Sequence, residues 1–471
     1  MHFKVQTEKY LSDTLTPVSV YMKIRKKFTE VLLLESADYR GSENSLSFIC
    51  FSPLAKFKVE DNKQEVILPG EKNSLEEIVD RGAVLSRLQN FFQELSLEQD
   101  NDLPNGFFGY CTYEAVKYFE DIELAAPPSK ERQVPEICYA FYEFLIIFNH
   151  YKNEIHIIHN QSINSACSRT LEEIKDIIFH SEFSFSEFCT VEEESSNLTD
   201  QDTLRVIEKC KSHIARGDVF QIVVSRRFMQ KYKGDDFNVY RTLRSINPSP
   251  YLFYFDYLDY RIFGSSPEAQ LTVKDSVASI YPIAGTYPRR ADRANDRELA
   301  TELQSDPKEN AEHIMLVDLA RNDLNKHCKN VRVEVFKEVQ FYSHVIHLVS
   351  KVSGELESMK NSFAVLADTF PAGTLSGAPK YKAMQLIDRY ENQRRGIYGG
   401  CVGFVSAKGD INHAIIIRSF LSKDNVLYYQ AGCGLVFDSK PEAEVQEVKN
   451  KLGALKQAVL EANKLFSEES K

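Results

Sequence analysis

Residues 251–283, YLFYFDYLDYRIFGSSPEAQLTVKDSVASIYPI, decide the fold class. Aromatic and β-branched residues recur there in short runs (YLFYFDYL, RIFGSS, QLTVKD, SVASIYPI), each ended by Asp, Gly, Ser or Pro. Such runs read as strands. No crossover helix fits between them, and parallel pairing needs a connection of about a dozen residues or more. The strands are therefore expected to be antiparallel. Outward from this stretch, 202–216 reads as a helix closing at Gly217, followed by a strand in GDVFQIVVSRRF (217–228). A helix-rich segment is expected at 294–327, strands at 331–353, and helices at 361–370, 378–391 and 441–466. Residues 401–407 with 411–421, and 425–430 with 433–438, read as strand pairs. On the N-terminal side, alternation in VSVYMKI and SLSFICF predicts antiparallel strands over 17–60. A helix follows at 75–98, then a strand pair over 136–159 turning at Tyr151–Glu154, and a helix at 166–180. Runs of antiparallel strands interrupted by helices predict an α+β fold, sheets packed with helices, rather than a doubly wound parallel sheet.

Residues 181–200 are acidic and Ser-rich, without Lys or Arg. They read as a linker between an N-terminal domain (1–180) and a C-terminal domain (201–471). A chain of 471 residues can bury a large core without staples. The formal charge of -11 and the lack of a basic run argue against nucleic acid as partner. Nine scattered cysteines, with no C-x-x-C, disfavour zinc and dithiol redox chemistry. With a polar N-terminus and no apolar run of membrane-spanning length, they lead to the expectation of a reducing cytoplasm.

Two Glu-x-x-Glu pairs, Glu309/Glu312 and Glu444/Glu447, open two expected helices. Asp306-Pro307-Lys308-Glu309 reads as a capping box, and so does Ser439-Lys440-Pro441-Glu442. Taken alone, Glu309 is a cap and Glu447 a solvated i,i+4 partner of Lys451. Taken together, one carboxylate from each helix would suit a hard dication such as Mg²⁺. Glu312 leads into an apolar helix face and needs a metal or a partner, with Arg321 and His313 at hand. The loop Pro371–Lys380 (PAGTLSGAPK) opens a helix whose N–H groups could meet an anion, or is simply a tight turn. Ala431-Gly432-Cys433-Gly434 offers close backbone approach. Arg418 in AIIIRSF is an odd core residue unless it grips a carboxylate. His347 alternates with apolar strand residues, as most core histidines do.

Together these segments resemble the chorismate-utilising enzymes, most closely the large subunit of anthranilate synthase. The matching stretches are GDVFQIVVSRRF, PIAGT (282–286), DPKENAEHIMLVDLARNDL (306–324), YSHVIHLVS (342–350), PAGTLSGAPK, RGIYGGCVGF (395–404), HAIIIRSF (413–420) and AGCGLVFDSKPEAEVQEVKNK (431–451). The strong match covers about 202–455. Weaker matches are LLLES (32–36), GFFGYCTYEAV (106–116) and NPSPYLF (247–253). The resemblance implies Mg²⁺-dependent conversion of chorismate and ammonia to anthranilate and pyruvate, the first committed step of tryptophan biosynthesis. It implies Glu312 and Glu447 as metal ligands, with Glu309 and Glu444 in the outer shell. Glu309 becomes a candidate acid for the departing C4 hydroxyl, and His347 an aid to elimination. Thr374, Tyr398, Arg418, Gly434 and Lys451, with Ala431 and Gly432, would take the enolpyruvyl side; Gly285 and Thr286 would take the ring side. LLLES and NPSPY resemble the segments of a tryptophan feedback site, making Glu35, Ser36, Pro250 and Tyr251 candidates. No glutaminase triad context is found, so a separate glutamine amidotransferase subunit is the expected partner. Ala284 stands where aminodeoxychorismate synthases, the alternative, usually carry lysine. Tyr287, Cys433 and Leu46 depart from common family residues.

Overall fold

The computed structural model describes residues 1–36, 45–98, 103–162, 169–289, 293–341, 345–359 and 362–465. Parts of the expected strands at 37–44, of the helices at 166–168, 361 and 466, and of the family motif at 342–344 lie outside them.

A long antiparallel sheet organises the chain. Strand Gln221–Gly234 pairs with Val426–Leu435, and the ladder continues through Ser419–Lys423, Tyr260–Ser266 and Tyr251–Asp256. Tyr251–Asp256 then pairs with Leu32–Glu35, which brings in the N-terminal strands Leu46–Glu60 and Ile137–Asn149. Strand Ile137–Asn149 joins Gly106–Cys111, and that strand pairs with Cys401–Ser406. From there the order runs through Ile411–Ile415, Ala269–Lys274, Val277–Ile280 and Val345–Leu356. The sheet curls back so that residues distant in sequence share its inner surface. Mixed α/β architecture with antiparallel pairing is what the strand runs of 251–283 predict.

Helices cover the sheet. The helix Pro441–Lys464 buries Val445, Val448, Leu452, Leu455 and Val459 on one stripe. Each such side chain contributes roughly 1.5–3 kcal/mol of apolar burial. The stripe packs against Asp200–Ala215, Phe237–Ile246 and the Val426–Leu435 strand. The helix Phe237–Ile246, which the sequence reading passed over, is anchored by Val239, Tyr240 and Leu243, all fully buried. Segment 181–200 contributes short strands, Phe188–Thr190 and Ser195–Ser196, to the edge of Gln221–Gly234.

Some local expectations fail for identifiable reasons. VSVYMKI is not a strand but a helix, Pro17–Ile24. Thr16 caps it by accepting from Ser19 N at 3.1 Å, the Ser19 hydroxyl returns the bond, and Pro17 fixes the first turn. These start signals outweigh the period-2 pattern. The expected hairpin 425–430/433–438 is one unbroken strand, Val426–Leu435. Gly432 lies within that strand and gives the close backbone approach expected of it: a Cβ at that position would meet Val224 O at 2.7 Å and the Tyr398 hydroxyl at 2.9 Å. Segment 411–421 splits into Ile411–Ile415 and Ser419–Lys423 around Arg418, whose φ of 50° lies in the left-handed region. Ser439 does not cap the last helix. Lys440 is its N-cap, without a side-chain bond, and Ser439 Oγ instead accepts from Val436 N at 3.1 Å.

Candidate active site

Glu309 and Glu312 enter the site on the helix Pro307–Asn325. Asp306 Oδ1 accepts from Glu309 N at 3.1 Å, so the expected cap is present. Glu312 Oε1 accepts from Gln221 Nε2 at 3.0 Å, and the other amide atom, Gln221 Oε1, is buried without a hydrogen-bond partner. The bland partners offered to Glu312 are engaged elsewhere, His313 with Ser350 Oγ at 2.6 Å and Arg321 with Asp318 at 3.3 Å. Two glycines let strands come close to this helix face. A Cβ at Gly285 (φ +69°) would sit 3.3 Å from Glu309 Oε2, and one at Gly434 would sit 3.9 Å from Glu312 Oε1.

The second pair arrives from the opposite helix. Glu444 is buried, while Glu447 is half-buried and ion-paired with Lys451 at 2.7 Å. Lys451 Nζ also donates to Gly432 O at 3.0 Å. Burial pushes the Cys433 thiol up, and the charges of Glu444 and Glu447 push it further. Both helices thus direct carboxylates at the one stretch Gly432–Gly434. Among the described residues no cluster of three or more metal-ligating side chains is already assembled. The donor set still fits a hard dication. It is all carboxylate oxygen, drawn from two helices, with an unpartnered amide oxygen beside it.

Between these helices lie Glu268, Thr374, His347, Arg418 and Tyr398. Thr374 Oγ1 donates to Glu268 Oε1 at 2.9 Å. Glu268 opens onto the recess but is enclosed by protein. Burial raises its carboxyl to about 7, against the lowering effects of Thr374, Arg418 and Lys451. Burial likewise holds His347 down to about 4, with Arg418 and Lys451 adding to that effect. His347 Nδ1 lies 2.8 Å from Gly285 O; a carbonyl only accepts, so Nδ1 carries the proton and Nε2 the lone pair. Glu268 and His347 therefore share the field of the same two cations. Desolvation also lowers the Arg418 guanidinium, and Glu268 opposes that. Tyr398, buried, has its hydroxyl against Gly432, next to Ala431. Thr286 pairs with His347 in the ladder. In the Gly-rich loop, Lys380 is tied to Asp323 at 2.8 Å and to Thr369 O, so it is no phosphate lysine.

Residues 29–457 match the model of the chorismate binding enzyme family. This chain belongs to that family. Among curated members it is 37% identical over 465 residues to anthranilate synthase component 1 of Aquifex aeolicus, covering 95% of this chain and 93% of that one. It is 36% identical to the component 1 of Bacillus subtilis, covering 98% and 92%. The crystal structure of anthranilate synthase component I from Streptococcus pneumoniae superposes with a TM-score of 0.73 at 30% identity, over 95% of this chain and 99% of that one. The menaquinone-specific isochorismate synthase of Escherichia coli shares the fold alone, with a TM-score of 0.75 at 17% identity over 97% and 94%.

In this chorismate-binding chain, sequence reasoning missed Glu268. Its only cue was Ser265-Ser266-Pro267-Glu268, a proline between two strands that takes the next residue out of the ladder. Ala284, at the position that separates family branches, is buried opposite Leu348. The feedback candidates meet along one seam. Glu35 is paired across the sheet with Leu252, the neighbour of Tyr251 and Pro250, and Ser36 follows at the strand end. Glu35 is buried; it accepts from Tyr240 OH at 2.5 Å and from Arg244 Nε at 3.0 Å.

Proposed function

We propose that this chain is the chorismate-converting large subunit of an anthranilate synthase. The observation that carries the reading is that a half-buried carboxyl raised to about 7 (Glu268) and a histidine held neutral (His347) lie in the field of the same two cations, Arg418 and Lys451. Chorismate carries two carboxylates and a poor leaving group, the ring hydroxyl. Arg418 and Lys451 would take one carboxylate. Thr286 and the backbone at Gly285 would take the ring side. Glu268, with its carboxyl raised to about 7 and so partly protonated at neutral pH, is suited to give its proton to the leaving C4 oxygen as ammonia forms the bond to ring carbon 2. The acid role that the resemblance offered to Glu309 fits Glu268 better. His347, its Nδ1 held by Gly285 O, would use Nε2 to assist elimination of the enolpyruvyl group as pyruvate. Overall, chorismate and ammonia give anthranilate, pyruvate and water.

Glu312 and Glu447 would hold Mg²⁺, with Glu309 and Glu444 beside them. When bound, the ion acts as template and Lewis acid for the other carboxylate. Relatives bearing the name component 1 support a second, glutaminase component as ammonia donor. Glu35, Ser36, Pro250 and Tyr251 are the proposed tryptophan-responsive seam, and tryptophan biosynthesis in the cytoplasm is the proposed setting. The expected test result is anthranilate fluorescence when purified protein meets chorismate, Mg²⁺ and ammonium at mildly alkaline pH, stopped by EDTA and by Glu447→Gln and suppressed by tryptophan. Accumulation of 4-amino-4-deoxychorismate instead would overturn the assignment in favour of the folate branch.

A further inference from the structure

Behind Tyr398, three guanidinium groups converge. Arg132, Arg227 and Arg395 line a cavity of about 20 Å³, closed also by Tyr398, Ser419 and Tyr428. The three arginines are 7%, 3% and 3% exposed. Arg395 has its counter-charge, Glu391, at 2.7 Å. The other two differ. Every hydrogen bond described for Arg132 and Arg227 ends on a neutral oxygen. They even compete for acceptors: Gln393 Oε1 lies 3.2 Å from Arg132 Nη2 and 3.0 Å from Arg227 Nη1, and Arg394 O serves both as well.

The nearby carboxylates are committed. Glu391 also accepts from Ser225 N and Oγ, and Glu136 is held by Lys117 and Tyr118. Glu114 accepts from the backbone N–H groups of Arg395 and Gly396. Through space, Glu114 and Glu391 offset two of the three buried guanidinium charges, and burying the one left over is costly. Burial, and then the charge of Arg132, bring the Arg227 guanidinium down to about 9, and burial lowers Arg132 as well.

We propose that this cavity is a halide site, a single small monoanion (chloride in the cell) held between Arg132 and Arg227. Size selects the class. A space of about 20 Å³ admits one water or one monatomic ion. A carboxylate or phosphate is too large, and water supplies no charge. Arg132 also lines a polar cleft of about 530 Å³ of mixed charge, with Lys117 and Arg394 beside Glu114 and Glu136, which gives an approach from solvent. Tyr398 stands between this site and the substrate recess, and the site does not depend on which chorismate reaction the chain performs.

The test uses the whole chain exchanged into sodium gluconate. Bromide is then titrated at constant ionic strength while the thermal midpoint is followed. The expected result is a saturable upward shift with bromide that gluconate does not reproduce and that Arg132→Gln removes. Crystals grown in bromide should show an anomalous peak touching both guanidinium groups. Equal midpoints in bromide and gluconate, or a bromide shift unchanged in Arg132→Gln, would overturn the proposal. So would anomalous maps of the unmodified protein without that peak, a reading that stands even if the variant does not fold.

Discussion

Glu35 and Glu268 are both carboxylates enclosed by protein, yet their surroundings differ in kind. Glu35 has a hydroxyl and a guanidinium bonded to it, from Tyr240 and Arg244. Glu268 has one hydroxyl, from Thr374, with its cations acting only through space, and burial lifts its carboxyl to about 7. A carboxylate fully supplied with donors ties elements together. One left short of them stays ready to exchange a proton. The bonds at Glu35 hold a strand seam to its neighbouring helix, and the surroundings of Glu268 suit the proton transfer proposed for it.

The sharpest way to break this contrast is Glu268→Gln. Loss of a general acid predicts a fall in kcat of roughly 10²–10⁴ with the fold intact. A variant within tenfold of the parent in kcat would remove Glu268 from the mechanism. Glu35→Ala should act the other way round. It leaves Tyr240 and Arg244 without their acceptor and is expected to lower stability in urea by about 1–3 kcal/mol. Turnover by the folded fraction, without tryptophan, should be nearly unchanged; a large loss of kcat at full stability would merge the two regions.

The smallest effect is a slope. His313 and His347 are held at about 4, and His413 at about 3, all by burial. The unfolded chain binds more protons at these histidines between about pH 4 and 6.5, so stability rises with pH across that window and is lost as pH falls. Glu268 has the opposite sign. Its folded value of about 7 exceeds the ordinary 4.5, so it lowers stability as pH rises between those values. Glu268→Gln should therefore steepen the rise measured by urea midpoints from pH 4.5 to 6.5. Parallel curves for parent and variant would mean that Glu268 is ionised throughout.

The strand runs of 251–283 and the apolar stripe of Pro441–Lys464 were legible because period and length state them directly. Both Glu-x-x-Glu pairs were legible as helix-borne. Their convergence on Gly432–Gly434 was not, since it depends on how the sheet curls. Gly432 was legible as a place of close backbone approach, but the group that comes close, the Tyr398 hydroxyl, was not, since it lies far away in sequence. Glu268 was invisible for a related reason. Its raised carboxyl comes from burial and from residues far away in sequence, and no local pattern encodes either.

Arg418 holds a left-handed backbone that its Cβ makes unfavourable, by about 1–3 kcal/mol where such strain is retained. Glycine would sit there at ease. A selection for heat resistance alone should therefore drift toward Arg418→Gly, giving tougher molecules with a weakened grip on an anionic substrate.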